Sequence, residues 1–296
     1  MEFSFIIPSY QQGRFIGKCL DSIYAQNLPQ GSYEVWVIDG GSTDETVDIL
    51  KNHPLRPNFL SEPDHGQAHA INKGISKSKG DFIAWINSDD YYHDGAFTVL
   101  RQYITGNPDA RVIYGDGDKV GETGNYMEPY PTEDWRHRRL SDKCFLCQPS
   151  VIFHREVFNV VGPINESLQL VVDLEFWMRA GKHFTFHRLP LNIACLRHYP
   201  ETKSQANQLR MQMEALLVGF RHYGLWSNRR LWSVAENLLL EDRPDIGVAM
   251  DPHRATALNV TLFWVMKTMR YLGLRVRPHL EKRLETKIQN LPLRDN

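Results

Sequence analysis

The sequence predicts an α/β fold in which a mostly parallel central sheet is flanked by helices and followed by a helical C-terminal appendage. Short apolar runs alternate with helical patterns over roughly the first 120 residues. These runs are apolar on both faces, which is typical of parallel strands covered by helices on both sides. From about Ser204 the pattern becomes helical without further strand signals. We therefore expect one domain over residues 1–205 and a helical region over residues 206–296.

The predicted elements follow one another with short connections. In the first part of the chain they are strand 3–7, helix 13–26, strand 35–38, a helix through Leu50, strand 59–60, helix 68–78 and strand 82–86. Ser42 and Glu45 form a capping-box pattern that predicts the start of the second helix. Further strands are predicted at 112–114, 151–153 and 193–196, and a helix at 174–180. Asp173 is the candidate N-cap of that helix and Gly181 its candidate stop.

Composition and charge exclude several classes of protein. Hydrophobic residues make up 42% of the 296 residues and charged residues 23%, as in ordinary globular proteins. A formal net charge of −1 argues against a nucleic-acid binder, which usually has a basic domain. The four cysteines are too few and too scattered for a secreted disulfide framework. The sequence shows neither a signal-peptide pattern nor a membrane-length apolar run, so we expect a cytoplasmic protein.

Four polar loops follow the predicted strands, at residues 8–10, 39–44, 62–67 and 87–90. The carboxyl ends of parallel strands form the ligand-binding edge of such sheets. Asp89 and Asp90 would supply the hard oxygen ligands that Mg²⁺ or Mn²⁺ prefers, with phosphates completing the shell. The alternative is a plain Asp-rich turn, but three more polar loops at the same edge favour a binding site.

Five stretches of the chain are specific in their order and spacing taken together. They are Ile7-Pro8-Ser9-Tyr10, Val37-Ile38-Asp39-Gly40-Gly41-Ser42-Thr43-Asp44, Asp64-His65-Gly66-Gln67-Ala68 with Asn72-Lys73-Gly74, Trp85-Ile86-Asn87-Ser88-Asp89-Asp90 and Asp173-Leu174-Glu175-Phe176-Trp177-Met178-Arg179. Together they resemble the family 2 glycosyltransferases over roughly residues 1–205. The resemblance implies a GT-A (Rossmann-like) fold, a nucleotide-sugar donor and a divalent cation.

The resemblance implies a role for residues in each stretch. Asp39 would accept a hydrogen bond from the nucleobase, and Asp89 matches the metal-binding last acid of the family's Asp-x-Asp motif. Asn87 stands in place of the first acid, a departure that removes one charge but leaves a group able to bind a ribose hydroxyl. The implied donor-binding residues are Pro8, Ser9, Tyr10, Asp39, Asp64, Lys73, Asn87, Ser88 and Arg197.

His198 is the second candidate ligand of Mg²⁺ or Mn²⁺. In the resemblance, an Arg/His pair (Arg197 and His198) with a later serine (Ser204) closes over the donor diphosphate. Imidazole is a suitable ligand for Mn²⁺. The alternative is an ordinary surface histidine.

Asp173 is the candidate catalytic base. An inverting transfer needs a carboxylate that takes the acceptor's proton as the hydroxyl attacks, and Asp173 matches the family's acid before an aromatic-rich helix. An N-cap role is its alternative. Glu175 lies about 200° further around the helix, so the two acids cannot both face one site.

Three remaining sequence features give weaker evidence of function. Cys144 and Cys147 form a CxxC without a second pair, which favours thiols over a zinc site. The basic, aromatic-led run at residues 135–139 could contact an acceptor phosphate, but a solvated loop is favoured. The C-terminal region is amphipathic and basic, which fits either peripheral membrane contact or packing on protein. Its apolar positions are Leu258, Leu262, Val265, Met269 and Leu272.

The sequence thus predicts a metal-dependent, inverting glycosyltransferase. It would move a sugar from a nucleotide-sugar, with a UDP-sugar favoured, to a saccharide or polyprenyl-diphosphate-linked glycan acceptor. The resemblance suggests surface-polysaccharide assembly, such as O-antigen synthesis, at the inner face of the membrane. A catalytically silent sugar-nucleotide-binding or scaffold protein is the alternative. Nucleotidyltransferases and NAD enzymes are disfavoured because no glycine-rich loop follows the first strand.

Overall fold

The computed structural model describes residues 1–224, 227, 229–231 and 233–234. The chain divides into two units, Met1–Gln205 and Ala206–Asn296. The assignment of catalysis to residues 1–205 stays a prediction. The amphipathic segment after Leu258 lies outside the described residues.

Strands and helices alternate through the first unit. The strands are β1 Phe3–Ser9, β2 Tyr33–Asp39, β3 Asn58–Ser61, β4 Phe82–Trp85, β5 Tyr91–Tyr92, β6 Val112–Val120, β7 Tyr126–Pro129, β8 Val151–His154 and β9 Phe186–Arg197. The helices are α1 Gly13–Tyr24, α2 Thr46–Asn52, α3 Gln67–Lys77, α4 Ala96–Gly106, α5 Arg155–Val161, α6 Val172–Ala180 and α7 Lys203–Ala206. Helix α8, Gln208–Tyr223, belongs to the second unit.

The described strands form one mixed sheet in the order β3-β2-β1-β4-β8-β6-β9-β5, with β7 paired to β6. Its long ladders, β1 with β2 and β6 with β9, are parallel. Strand β8 runs antiparallel between β4 and β6. The predicted α/β fold with a mostly parallel sheet flanked by helices is confirmed.

The core lies where helices cover the first parallel strands. Strand β1 is buried along its whole length, as its apolar sequence predicts. Helix α1 buries an apolar face, including Ile16 and Leu20, in the same core as Phe5 and Ile7 of β1. Helix α3 comes close to β1 at Gly74, where an added Cβ would lie 2.5 Å from Cγ2 of Ile6. A larger residue at Gly74 would push this helix off the sheet.

Two predicted helix starts were wrong in detail. Helix α2 begins at Thr46, after Glu45, and Ser42 instead donates its hydroxyl to Oδ1 of Asp39 at 2.5 Å. Helix α6 begins at Val172, so Asp173 is not its N-cap. The capping interpretation of Asp173 therefore falls away. Strand β9 is also longer than predicted, and the sequence patterns did not identify β5, α4, β7 and α5.

Candidate active site

The carboxyl ends of β1, β2, β3 and β4 bring the four predicted polar loops to one edge of the sheet. Ser9 and Asp39 are register partners at the ends of β1 and β2. Ser61 ends β3 beside Asp39, and the loop at residues 87–90 follows β4. The parallel arrangement explains why residues distant in sequence share this edge.

Asp39 organises the loop that follows β2. Its side chain is fully buried, and Oδ2 accepts hydrogen bonds from the hydroxyl of Ser61 at 2.6 Å and the backbone N–H of Ser42 at 2.8 Å. The Ser42 hydroxyl donates to Oδ1. Next to it, the buried Oγ of Ser9 has no hydrogen-bond partner among the described residues. A buried hydroxyl without a partner costs free energy, and a ligand at this edge could supply one.

Tyr10 and Asp64 flank Gly40 beyond the end of β2. An added Cβ at Gly40 would lie 3.2 Å from the Tyr10 ring and 3.3 Å from Oδ2 of Asp64. Tyr10 is 61% exposed, so its ring is available to a planar ligand. Lys73 is less available, because its ammonium group lies 2.7 Å from Oε1 of Glu62.

Asn87 lies at the centre of a side-chain network at the end of β4. Its Oδ1 accepts hydrogen bonds from Nε2 of Gln67 at 2.7 Å and Nε1 of Trp85 at 3.3 Å. Its Nδ2 donates to Oε1 of Gln148 at 3.2 Å. Gln148 is fixed in turn, because its own Nε2 donates to the carbonyl of Trp85 at 2.9 Å. Asn87 thus acts as both donor and acceptor, which a carboxylate cannot do.

The loop at residues 87–90, called here the acidic loop, is contacted by Arg197 at the end of β9 and by Tyr199 just after it. The Tyr199 hydroxyl donates to Oδ2 of Asp89 at 3.0 Å, and Nε of Arg197 donates to the Asp89 carbonyl at 2.7 Å. The backbone N–H of Arg197 donates to Oδ1 of Asp90 at 2.7 Å. His198 lies between these contacts in the chain, and its N–H donates to the carbonyl of Val120 at 2.7 Å. The backbone of His198 therefore lies between two residues that contact Asp89, while Nδ1 of its ring lies 3.5 Å from Nε2 of Gln205.

The two carboxylates are electrostatically costly where they lie. Burial raises the pKa of Asp90 well above its usual range, and the neighbouring Asp89 raises it further. Burial also raises the pKa of Asp89, although the hydrogen bond from Tyr199 opposes this rise. A hard divalent cation would favour the ionised carboxylates. The residues present therefore fit a Mg²⁺ or Mn²⁺ ion held by Asp89.

Arg197 is a buried structural group as well as a candidate donor ligand. Its side chain is 7% exposed. Its guanidinium lies 4.7 Å from the ring centroid of Phe15 and 5.4 Å from that of Tyr91. These contacts hold Arg197 beneath the acidic loop, so its positive charge stabilises the carboxylates there.

Asp173 and Glu175 have different surroundings on α6. Glu175 is buried and forms a two-pronged ion pair with Arg179, with distances of 3.0 and 2.9 Å. Asp173 is only partly buried, in the first turn of α6. The loop before α6 reaches the ligand edge, because Oε1 of Gln169 lies 3.6 Å from an added Cβ at Gly66. Glu175 is thus the acid fixed in an ion pair, and the role of Asp173 stays a prediction.

Two important contacts were missed from the sequence. The sequence patterns assign no role to Tyr199, although an aromatic residue directly after the Arg197-His198 pair is a usable signal. Gln67 lay in a matching stretch without a role of its own, and its contact with Asn87 joins residues 20 positions apart.

The basic run at residues 135–139 is not a solvated loop. The ring of Trp135 stacks on Phe186 with centroids 3.9 Å apart. Nε2 of His137 lies 2.8 Å from the Met178 carbonyl, and Arg139 pairs with Glu133. The favoured solvated-loop interpretation was therefore wrong for Trp135, His137 and Arg139, which packing and ion pairs fix, while Arg136 and Arg138 are exposed. In the CxxC, Cys147 is buried and Cys144 partly buried, and the two are not joined in a disulfide.

Comparison with known proteins places this geometry in a family. A family model for glycosyl transferase family 2 matches residues 4–162. A PGL/p-HBAD biosynthesis glycosyltransferase of Mycobacterium bovis is 28% identical over 182 residues, covering 60% of this chain and 68% of that protein. The chondroitin synthase of Escherichia coli is 25% identical over 183 residues, covering 60% of this chain and 26% of that protein.

Solved structures share the fold. S. aureus TarS in complex with UDP-GlcNAc has a TM-score of 0.64 at 19% identity, covering 98% of this chain and 89% of that chain. The mannosyltransferase PcManGT from Pyrobaculum calidifontis, in complex with GDP-Man and Mn²⁺, has a TM-score of 0.58 at 15% identity, covering 99% and 88%. These neighbours confirm the GT-A fold. Since the family model spans more than half of the sequence and the relatives carry the same activity, the chain belongs to glycosyl transferase family 2 and is a glycosyltransferase.

Proposed function

We propose that the enzyme transfers a sugar from a UDP-sugar to a hydroxyl group of a glycan, with inversion at the anomeric carbon and with Mg²⁺ or Mn²⁺ bound. The observation that carries this proposal is the closure of the acidic loop by the end of β9. Tyr199 and Arg197 hold Asp89 from two sides, which leaves a carboxylate positioned at the ligand edge of the sheet.

The proposed donor site lies along that edge. Tyr10 would stack on the nucleobase, and Ser9 would gain a hydrogen-bond partner from the bound nucleotide. Asp39 and Asp64 shape the loops around the base and ribose, with Pro8, Lys73 and Ser88 completing the site. The UDP-GlcNAc complex of TarS supports a UDP-sugar, and the Mn²⁺ complex of PcManGT supports a cation.

Asp89 and His198 would hold the cation, which neutralises charge on the diphosphate as it leaves. Arg197 adds fixed positive charge beneath the loop. Asn87, tied to Gln67 and Gln148, sets the position of the loop rather than adding a third charge.

Asp173 would act as the general base. It would take the proton of the acceptor hydroxyl while the acceptor oxygen forms a bond to the anomeric carbon. The bond from that carbon to the diphosphate oxygen breaks, and the nucleoside diphosphate leaves with the electron pair. Attack opposite the leaving group inverts the anomeric centre. The Glu175–Arg179 ion pair would keep α6 in place without taking part.

The acceptor proposed is a saccharide or a polyprenyl-diphosphate-linked glycan in surface-polysaccharide assembly. Relatives named for glycolipid and chondroitin synthesis support a glycan acceptor. Such an acceptor would place the enzyme in the cytoplasm, at the inner face of the membrane. No helix within the described part of the chain is long and apolar enough to cross a membrane.

A donor panel tests the proposal. Thermal shifts would be measured with UDP-, GDP- and dTDP-sugars, with and without Mn²⁺, on the wild type, Asp89→Asn and the exposed control Asp109→Asn. Ligand at about 100 times its Kd stabilises by roughly 2.7 kcal/mol, which is easily seen. We expect a Mn²⁺-dependent shift with a UDP-sugar that Asp89→Asn loses and Asp109→Asn keeps.

Turnover completes the test. Release of UDP in the presence of a glycan acceptor, with a β product from an α donor, would support the mechanism. Donor binding without any transfer across an acceptor panel would instead favour the silent donor-binding alternative. No shift with any donor, in a folded protein, would overturn the proposed donor site.

A further inference from the structure

A second group of metal-ligand side chains lies where β5, β6 and β9 meet, apart from the acidic loop. His93 follows β5, while Asp118 of β6 and Cys195 of β9 are register partners. Nε2 of His93 lies 3.1 Å from Oδ2 of Asp118 and 3.3 Å from Sγ of Cys195. All three ligand atoms lie within 4.8 Å of one another.

This geometry does not suit a Cys–His–Asp nucleophile. In such a triad the carboxylate orients the imidazole through one ring nitrogen while the other nitrogen faces the nucleophile. Here the same nitrogen, Nε2 of His93, faces both Asp118 and Cys195. Three ligand atoms that converge on one point are what a metal ion needs. Tetrahedral zinc bonds of about 2.0–2.3 Å place ligand atoms roughly 3.5 Å apart, close to the 3.1 and 3.3 Å that separate Nε2 of His93 from Asp118 and Cys195.

We propose that His93, Asp118 and Cys195 form a binding site for a transition metal of the Zn²⁺ class. A thiolate together with an imidazole favours Zn²⁺ over Mg²⁺ or Mn²⁺, which prefer oxygen ligands alone. Cys195 and Asp118 are 3% and 9% exposed, whereas His93 is partly exposed. The exposed Asn192, with Nδ2 3.3 Å from Oδ2 of Asp118, marks the side from which an ion would enter.

A bound ion would join β5, β6 and β9, the strands next to the acidic loop and to the residues that contact it. Asp89 and Asp90 come directly before β5, and Arg197 ends β9 two residues after Cys195. Val120 ends β6 two residues after Asp118, and its carbonyl accepts the N–H of His198. The ion would therefore stabilise the scaffold of the donor site without touching the reacting groups.

Cobalt binding gives a direct test, because a cobalt–thiolate bond produces a charge-transfer absorption band that Co²⁺ bound by oxygen and nitrogen alone lacks. Nucleotide-free protein would be titrated with Co²⁺ and then with Zn²⁺, and the matched cysteine control is Cys144→Ser. We expect one thiolate-bound Co²⁺ per chain, seen as a thiolate band that Zn²⁺ displaces. Cys195→Ser should abolish the band, and Cys144→Ser should retain it.

His93→Gln and Asp118→Asn should weaken binding at least about tenfold, since loss of even an outer partner of a metal ligand commonly costs 10- to 100-fold. Far-UV circular dichroism without metal would show that each variant folds, and His93→Gln, altering a partly exposed side chain, serves if Cys195→Ser does not. Absence of a thiolate band in the wild type would overturn the proposal. So would a band that survives Cys195→Ser or an affinity unchanged in His93→Gln.

Discussion

The hydroxyl group of Tyr199 donates a hydrogen bond to Oδ2 of Asp89 at 3.0 Å, joining residues 110 positions apart in the chain. The ring of Tyr199 packs on Phe15, with centroids 5.1 Å apart. The phenol is thus held by packing while its hydroxyl fixes one oxygen of the carboxylate. A fixed carboxylate binds a cation with less loss of side-chain entropy than a free one.

Tyr199→Phe should weaken Mn²⁺ binding in the presence of UDP by roughly tenfold, because a hydrogen bond to a charged group is worth about 1.5–3 kcal/mol. The ring stays, so the fold should stay. Mn²⁺ affinity can be followed by electron paramagnetic resonance. Tyr126→Phe, at a tyrosine that is 63% exposed, is the matched control. Equal Mn²⁺ affinity in Tyr199→Phe and wild type would rule out this role of the hydroxyl.

Asn87→Asp tests why an amide stands in the acidic loop. The new carboxylate would lose the donor to Gln148 and add a third charge beside Asp89 and Asp90, at a cost of about 1–3 kcal/mol. We expect a melting temperature several degrees below wild type without a divalent cation, and a larger gain on adding Mn²⁺. Asn159→Asp, at an exposed position of α5, should melt close to wild type in both conditions. If Asn87→Asp melted like wild type, the hydrogen bonds of Asn87 would not stabilise the acidic loop.

Much of this site followed from local patterns. Apolar runs ending in polar loops placed Asp39 and the acidic loop at one edge, because strand direction alone decides which loops meet. The contacts of Tyr199 and Gln148 could not be predicted that way. They depend on β8 entering antiparallel between β4 and β6, and on β9 returning parallel to β6. Hydrophobic periodicity identifies strands but does not determine which strands pair.

The start of α6 shows a second limit. An aspartate before an apolar helix is a good N-cap pattern, yet the helix begins two residues earlier than predicted, at the buried Val172, which places Asp173 inside it. Packing of the apolar side chain outweighs a capping hydrogen bond. Local preference is therefore least reliable at element ends.

Asp173→Asn should lower turnover by about 10²–10⁴-fold, the usual contribution of a general base, in a variant that still folds and binds the UDP-sugar. Glu175→Gln should do the reverse. It removes the carboxylate charge that pairs with Arg179, which should cost about 1.5–3 kcal/mol, while folded molecules keep their turnover. Single-turnover kinetics and thermal melting separate the two effects. If folded Glu175→Gln lost turnover and Asp173→Asn stayed active, Glu175 would be the general base and Asp173 would not.

Tyr10→Ala should raise the Kd of the donor about tenfold while leaving stability unchanged. A stacked base contributes about 1–3 kcal/mol, and a side chain that is 61% exposed contributes little to the core. Isothermal titration with UDP measures the effect. Tyr24→Ala, at a tyrosine that is 57% exposed on α1, is the control. If both variants bind UDP like wild type, the base lies elsewhere.

Glu133 forms the centre of an ion-pair cluster beside the basic run. Its carboxylate lies 2.9 Å from groups on each of three cations, Arg136, Arg139 and Lys143. Hydrogen bonds from Arg139 and Lys143 lower the pKa of Glu133 from 4.5 to about 2. The ion pairs of Glu133 hold residues 135–139 against the domain, so weaker ion pairs should lower the stability of this segment.

Acidification should therefore weaken the domain through Glu133. Because the folded-state pKa is below the unfolded value, the stabilisation is complete above about pH 4.5 and is lost as the pH falls toward 2. Glu133→Gln should lower stability at pH 7 by about 1 kcal/mol, since solvent screens part of the interaction, or about 2–4 °C in melting temperature. The difference from wild type should shrink between pH 4.5 and 2. Glu128→Gln, which breaks one exposed pair with Lys119, should change little at either pH. A Glu133→Gln deficit that stays constant across this range would show that packing, and not the charge of Glu133, holds the run.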